Sequence, residues 1–175
     1  MKRFIILLAA AVMVAASFTA CVAPTQVSAE LSTSSEAPNP QMAEYTNDFE
    51  GLVKYMADSE LIAGEGTNMS ADFIGAEAGQ KFAFKYKEAA ITCELYSFDL
   101  ENLPEKGREV LDSVKANGTF KSLDKDISAV LSDNGKFMMI YVCSSNDEAY
   151  LNFTDRMHEK FKAFNGLKPI TEKAQ

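Results

Sequence analysis

The chain has 175 residues, of which 47% are hydrophobic, and its formal net charge is -8. This length is typical of a single domain with a substantial hydrophobic core. The acidic balance excludes the basic surface that a nucleic-acid-binding protein needs, so we expect no nucleic acid among its partners.

The first 20 residues have the pattern of a secretory signal peptide. Lys2 and Arg3 supply its positive start, and an apolar run from Phe4 to Ala16 follows. Small residues then lead to Cys21, as at the end of a signal peptide. The apolar run is short for a bilayer span, which needs roughly 20 residues. Whether this segment is cleaved or is retained as a single membrane span, the rest of the chain lies outside the cytoplasm.

The end of this segment carries a lipidation signal. Phe18-Thr19-Ala20-Cys21 resembles the lipobox of bacterial membrane lipoproteins, with Phe18 where that pattern has an aliphatic residue. The resemblance implies a diacylglyceryl group on the sulfur of Cys21, which becomes the N-terminus and anchors the protein to the cell membrane. A second cleavage site, Val27-Ser28-Ala29, would instead release a soluble protein. The resemblance covers only these few residues and implies nothing about the domain that follows.

Composition divides the rest of the chain into three segments. Residues 21–42 are rich in Ser, Thr, Ala and Pro, which predicts a flexible tether after the lipidated cysteine. Residues 43–166 carry the patterns of one domain, and residues 167–175 form a polar tail. Without Lys2 and Arg3, 15 basic residues oppose 25 acidic ones, so the exported chain has a net charge near -10.

Apolar residues at intervals of three and four predict three helices and a shorter one. Asn47 and Glu50 form the start signal of the first helix, and Gly166 is the stop signal of the last. The predicted helices run from Asn47 to before Gly64, from Ser70 to Glu77, from Asn102 to Asn117, and from Ser145 to Gly166.

Two hairpins are predicted between these helices. Lys81–Lys87 and Ala90–Phe98 alternate in hydrophobicity, and an even-length loop would pair Phe84 with Cys93 and Phe82 with Leu95. Asn134-Gly135 is a strong turn signal between the other two strands. That turn predicts the apolar pairs Leu131–Met138, Ala129–Ile140 and Ile127–Val142. The expected fold is therefore α+β, with a four-stranded, mainly antiparallel sheet, helices on one face, and the order α-(α)-ββ-α-ββ-α.

Few residues indicate chemistry. His158 is the single histidine and is interpreted as a solvated helix residue, so we expect no catalytic residue, no metal site and no cofactor. A hydrolase-like alternative would have to bring carboxylates such as Glu94, Asp99 and Glu101 into one cleft. The strand phases place Cys93 and Cys143 on opposite faces, which predicts two buried or half-buried thiols without a bridge.

The same phases predict an open sheet face rich in aromatic residues. Its members are Lys81, Lys85, Tyr96, Phe98, Phe137, Met139 and Tyr141. Aromatic residues with a polar rim are typical of a binding surface, although a loop or helix could cover them as a second core. The favoured interpretation is a non-catalytic cell-envelope lipoprotein that recognises an envelope protein, peptide or polymer. The alternatives are a secreted hydrolase-like protein and a self-associating module.

Overall fold

The computed structural model describes residues 29–31 and 38–167. Cys21, the signal peptide and the polar tail after Leu167 lie outside these residues. The described helices are α1 (Phe49–Asp58), α2 (Glu105–Asn117) and α3 (Glu148–Ala163), with 3-10 helices at Met42–Glu44 and Ala71–Ile74. The strands are β1 (Ala29–Glu30), β2 (Thr67–Asn68), β3 (Ala78–Tyr86), β4 (Ala89–Ser97), β5 (Thr119–Ser122), β6 (Lys125–Ser128), β7 (Val130–Leu131) and β8 (Phe137–Cys143).

The main sheet has six strands in the described part of the chain. Its order is β1-β3-β4-β8-β7, and β2 also pairs with β3, while β5 and β6 form a separate hairpin. The β1–β3 pair is parallel and the other pairs are antiparallel. The predicted α+β class is confirmed. The predicted four-stranded sheet is wrong, because the tether contributes β1 and the segment before β7 leaves the main sheet.

The first hairpin has the predicted faces but a different register. A two-residue turn at Lys87 and Glu88 places Tyr86 opposite Ala89, so Phe84 faces Ile91 and Phe82 faces Cys93. The predicted pairs are therefore shifted by two residues. A shift of two leaves each side chain on its original face, and hydrophobic alternation cannot distinguish the two registers.

The second hairpin separates after two residue pairs. Leu131 lies opposite Met138 as predicted, and Val130 lies opposite Met139. Before Val130 the chain turns away, and β6 pairs with β5 through a turn in which Leu123 and Asp124 have positive φ. The predicted pairs of Ala129 with Ile140 and of Ile127 with Val142 are therefore wrong. Among residues 29–31 and 38–167, this divergence leaves the far half of β8 without a strand on its outer side.

Both faces of the main sheet are covered, so the predicted two-layer arrangement is wrong. Helices α1 and α3 pack on one face, in a core whose sheet residues include Phe82, Phe84, Ile91, Cys93, Leu95, Phe137 and Met139. Helix α2, the Ala71–Ile74 3-10 helix and the β5–β6 hairpin pack on the opposite face, around Tyr96 and Met138. We call these the α1/α3 face and the α2 face.

Helices α1 and α3 begin one or more residues away from the predicted positions. The Asp48 carboxylate accepts a hydrogen bond from Gly51 N at 2.8 Å, so Asp48 and not Asn47 caps α1. Helix α3 begins at Glu148 and not near Ser145. Of the helices in the described part of the chain, none combines the length and apolar character required to cross a membrane.

Part of the predicted tether belongs to the fold. Ala29 lies opposite Phe84 in the parallel β1–β3 pair. Leu31 is buried, and its N–H donates to Lys85 O at 2.8 Å. The chain therefore docks on the outer edge of β3 several residues before the predicted start of the domain.

Candidate functional site

The seven residues predicted as one open face lie on both faces of the sheet. The β4–β8 register places Tyr141 opposite Cys93 and Met139 opposite Leu95, which puts them on the α1/α3 face. On that face Phe137 and Met139 are fully buried and Tyr141 is half-buried. On the α2 face Tyr96 and Phe98 are buried, and only Lys81 and Lys85 reach solvent to a larger extent. The predicted open face is therefore wrong.

The α2 face instead contains a partly open groove, which we call the first groove. It has a volume of about 600 Å³ and lies between β4 and β8, the Ala71–Ile74 3-10 helix and the β5–β6 hairpin. Its apolar lining comes mainly from Phe73, Ile74, Tyr96, Phe120, Ile127 and Ile140. Phe73 is 53% exposed at the rim, although the sequence pattern predicts it on the buried side of a helix.

The divergence of β6 from β8 creates this groove. Asp126–Ser128 of β6 and Ile140–Val142 of β8 line opposite walls, in the region where the sequence predicts that they pair directly. A continuous hairpin would have closed this space. Sequence reasoning missed the β5–β6 hairpin, although the alternation of Thr119–Ser122 is a short strand signal.

Carboxylates are the charged groups in the lining of the first groove. Glu94 accepts a hydrogen bond from the Tyr96 hydroxyl at 3.0 Å, and Lys81 Nζ lies 3.4 Å from its other oxygen. Burial raises the pKa of Tyr96, and the neighbouring charge of Glu94 adds to the shift. Asp126 pairs with Lys121 at 3.0 Å. The groove therefore combines an apolar floor with negative polar groups.

A second groove lies beside β8 on the α1/α3 face of the sheet. It has a volume of about 330 Å³, and its lining includes Cys143, Ser145, Tyr150 and Leu151. Tyr141 and Val142 line both grooves. The far half of β8 is therefore the wall that the two grooves share.

Tyr141 is held in place from the α3 side. Its hydroxyl lies 3.2 Å from Thr154 Oγ1, and its ring meets the ring of His158 edge-on at 5.6 Å. Burial raises the pKa of Tyr141 to about 12, while the Thr154 hydrogen bond opposes the shift. His158 is half-buried, and burial lowers its pKa. The interpretation of His158 as a solvated residue is therefore wrong.

The two cysteines of the domain share one face of the sheet. Cys93 lies opposite Tyr141, and Cys143 lies opposite Ile91, so the predicted opposite orientation is wrong. Cys93 is buried and Cys143 is half-buried, and both are free thiols. Burial raises the pKa of Cys93, which makes it a poor nucleophile.

The carboxylates considered for catalysis lie in different surroundings. Glu94 lines the first groove, whereas Asp99 accepts hydrogen bonds from the backbone N–H groups of Glu101 and Asn102 before α2. The Asn102 side chain also donates to Asp99, and these bonds lower the pKa of Asp99. Within residues 29–31 and 38–167, no group of three or more His, Cys, Asp or Glu side chains is placed to hold a metal ion.

Comparison of the chain with protein-family models, with curated protein sequences and with solved structures finds no significant match. Within the part of the chain that the structure describes, the two grooves and the strand between them offer a surface on which a ligand could bind.

Proposed function

We propose that this protein is a non-catalytic, lipid-anchored module of the cell envelope, and that the first groove binds an apolar segment of another envelope component. The observation that carries the proposal is the groove itself. Its volume of about 600 Å³ falls within the usual size of ligand sites. Such sites combine mainly apolar walls with a few polar groups, and here Glu94 and Asp126 supply the polar groups.

The position of β1 supports an anchor at Cys21 over release after Ala29. Ala29 is one of the two residues of β1, so cleavage after it would remove half of that strand. Cys21 precedes Ala29 by eight residues. Eight residues span at most about 28 Å, so a lipid at Cys21 would hold the sheet close to the membrane surface. Mass spectrometry of the mature N-terminus tests this part, because an unmodified chain starting at Glu30 would contradict it.

The placement of the carboxylates supports a non-catalytic role. Hydrogen bonds hold Asp99 in its turn, and Glu101 is exposed. Glu94 and Asp126 both line the first groove, but each is paired with a lysine, and Glu94 also accepts a hydrogen bond from the Tyr96 hydroxyl. General acid–base catalysis needs a carboxylate that can exchange a proton with the substrate, and these partners hold both groups.

The binding proposal is tested with Nile red, a neutral dye that fluoresces in apolar sites, and with two matched variants. Phe73→Ser removes an exposed aromatic ring from the rim of the groove, whereas Leu123→Ser removes an exposed apolar side chain at the tip of the β5–β6 hairpin. We expect Phe73→Ser to weaken dye binding by roughly fivefold, about the loss of 1 kcal/mol of apolar contact. Leu123→Ser should leave it unchanged.

A third variant fills the groove. Ser128 is exposed and lines the groove, so Ser128→Trp should block the dye without disturbing a buried residue. Equal dye binding by the wild type, Phe73→Ser and Ser128→Trp would show that the first groove is not a binding site.

A further inference from the structure

The outer edge of β8 presents main-chain groups that none of the described strands covers. The residues that flank β8 show which side its main chain bonds to: Ser144 N donates to Ala90 O of β4, and Lys136 O accepts from Phe98 N, which directly follows β4. Phe137 bonds on the opposite side, where its carbonyl accepts from Ser132 N. Because an antiparallel strand alternates in this way, Tyr141 also directs its main-chain N–H and C=O away from β4.

The same alternation holds for Cys143, two residues further on. Strand β7 pairs only with Met138 and Met139, so it ends before Tyr141. Because alternate residues of β8 face β4 and β7 has already ended, no described strand pairs with the main-chain N–H and C=O of Tyr141 or Cys143. An edge of this kind is a template for another extended chain.

The two grooves lie on either side of this edge. The first groove is on the α2 face beside Val142, and the second is on the α1/α3 face beside Cys143. Successive side chains of an extended strand point to opposite faces. A strand added beside β8 would therefore place its side chains alternately in the first and the second groove.

We infer that the ligand of this site is an extended peptide segment that adds to the outer edge of β8. This inference rests on the proposed function and names its ligand class. The main-chain groups of Tyr141 and Cys143 provide the backbone pairing, and the two grooves accept consecutive apolar side chains. When a peptide adds a strand to a sheet edge, its main-chain hydrogen bonds usually provide affinity and the pockets for its side chains provide selectivity.

Charge determines which peptide fits. The charged side chains that line the grooves are Glu94 and Asp126, and the chain as a whole carries a net charge of -8. Lys81 and Lys121 pair with these two carboxylates, so the preference comes from the net negative charge of the whole chain, which attracts a peptide with basic flanking residues and repels an acidic one. A second copy of this chain brings the same negative charge to the edge, so a separate peptide is the better occupant.

The test uses the terminally blocked heptapeptide Lys-Thr-Val-Leu-Val-Thr-Lys and two variants of one residue of the protein. Cys143→Pro removes the outward N–H but leaves the pairing with β4, because proline is tolerated where its nitrogen faces away from the neighbouring strand. Cys143→Val removes the same thiol and keeps the N–H, so it is the matched control. Circular dichroism and thermal unfolding establish that both variants fold.

We expect Cys143→Pro to bind the peptide roughly tenfold more weakly than Cys143→Val does, as for one lost hydrogen bond, because the two variants share the loss of the thiol and differ in the outward N–H. The peptide with Glu in place of both Lys residues should also bind more weakly, and the difference should shrink at high salt. Equal binding by the Pro and Val variants would overturn the inference.

N-methylated peptides provide a measurement that does not depend on a folded proline variant. Only alternate N–H groups of an added strand face β8. Methylation of the central Leu nitrogen and methylation of the two Val nitrogens should therefore differ, with one set losing binding and the other retaining it. Equal losses for both sets would overturn strand addition.

The outcomes separate this inference from the proposed function. If Nile red binding depends on Phe73 but the peptide does not bind, strand addition is wrong and the groove proposal stands. If neither probe binds, both are wrong. If sedimentation shows a dimer that Cys143→Pro dissolves, the occupant is a second copy and the peptide assignment is wrong.

Discussion

Replacing Phe137 with Ala tests the finding that both faces of the sheet are covered. Phe137 is fully buried on the α1/α3 face, and its ring meets the ring of Phe164 edge-on at 5.4 Å. Truncation of a buried Phe to Ala costs about 3–5 kcal/mol, and loss of an aromatic pair adds roughly 1 kcal/mol. We therefore expect the free energy of unfolding to fall by about 5 kcal/mol, a large part of the roughly 5–15 kcal/mol of an ordinary domain.

The assay is urea denaturation of the purified protein, and Phe73→Ala is the control. Phe73 is 53% exposed, so the same chemical change there should cost less than about 1 kcal/mol. The Phe137 variant should lower the urea midpoint with an unchanged slope, because the surface exposed on unfolding is nearly the same. Equal, small losses for the two variants would show that Phe137 lies on an open face, as the sequence predicts, and would refute the structural account.

Three further predictions concern other contacts. Asp48→Ala removes the cap of α1 and should cost about 1 kcal/mol in urea denaturation, whereas Asp48→Asn should cost only a few tenths, and equal costs would contradict the cap. Burial lowers the pKa of His158 in the folded protein. As the pH falls below about 6.5, His158 therefore takes up a proton more readily in the unfolded chain than in the folded one, and the stability of the folded protein decreases. His158→Gln should reduce the difference in melting temperature between about pH 5.5 and 7.5, and an unchanged difference would contradict this. Iodoacetamide should alkylate half-buried Cys143 faster than buried Cys93 in the native protein, as followed by peptide mass spectrometry; faster labelling of Cys93 would contradict its burial.

The local features of the fold are largely predictable from the sequence. Apolar spacing at Leu52 and Met56 predicts the buried side of α1, and Asn134-Gly135 predicts the turn that places Leu131 opposite Met138. These features depend on residues close together in the chain, where propensity and turn chemistry decide the structure.

The pairing of strands that are distant in the chain decides which face of the sheet each side chain of β8 occupies. The periodicity of hydrophobic residues within β8 does not decide it. The run Phe137–Val142 is apolar at every position, so either phase gives an apolar face. Its pairing with β4 places Phe137 and Met139 on the same face as Leu95 and Cys93. A continuous apolar run is typical of a strand buried on both faces, and this signal already disfavours an open face.

The candidate site could not be predicted because it forms where an expected pairing fails. The first groove exists because β6 pairs with β5 and not with β8. This pairing brings Phe120 and Ile127 onto the α2 face. Of the seven predicted face residues, Tyr96 and Tyr141 do line the first groove, although one is buried and the other belongs mainly to the α1/α3 face.

Amide hydrogen exchange at four neighbouring residues tests most directly whether the edge of β8 is open for a peptide. In the free protein, the amides of Tyr141 and Cys143 should exchange at least roughly tenfold faster than those of Ile140 and Val142, which face β4. Addition of Lys-Thr-Val-Leu-Val-Thr-Lys should slow the two fast amides and leave the other two unchanged. Amides of Tyr141 and Cys143 that are already as protected as their neighbours, or that the peptide does not slow, would contradict strand addition at this edge.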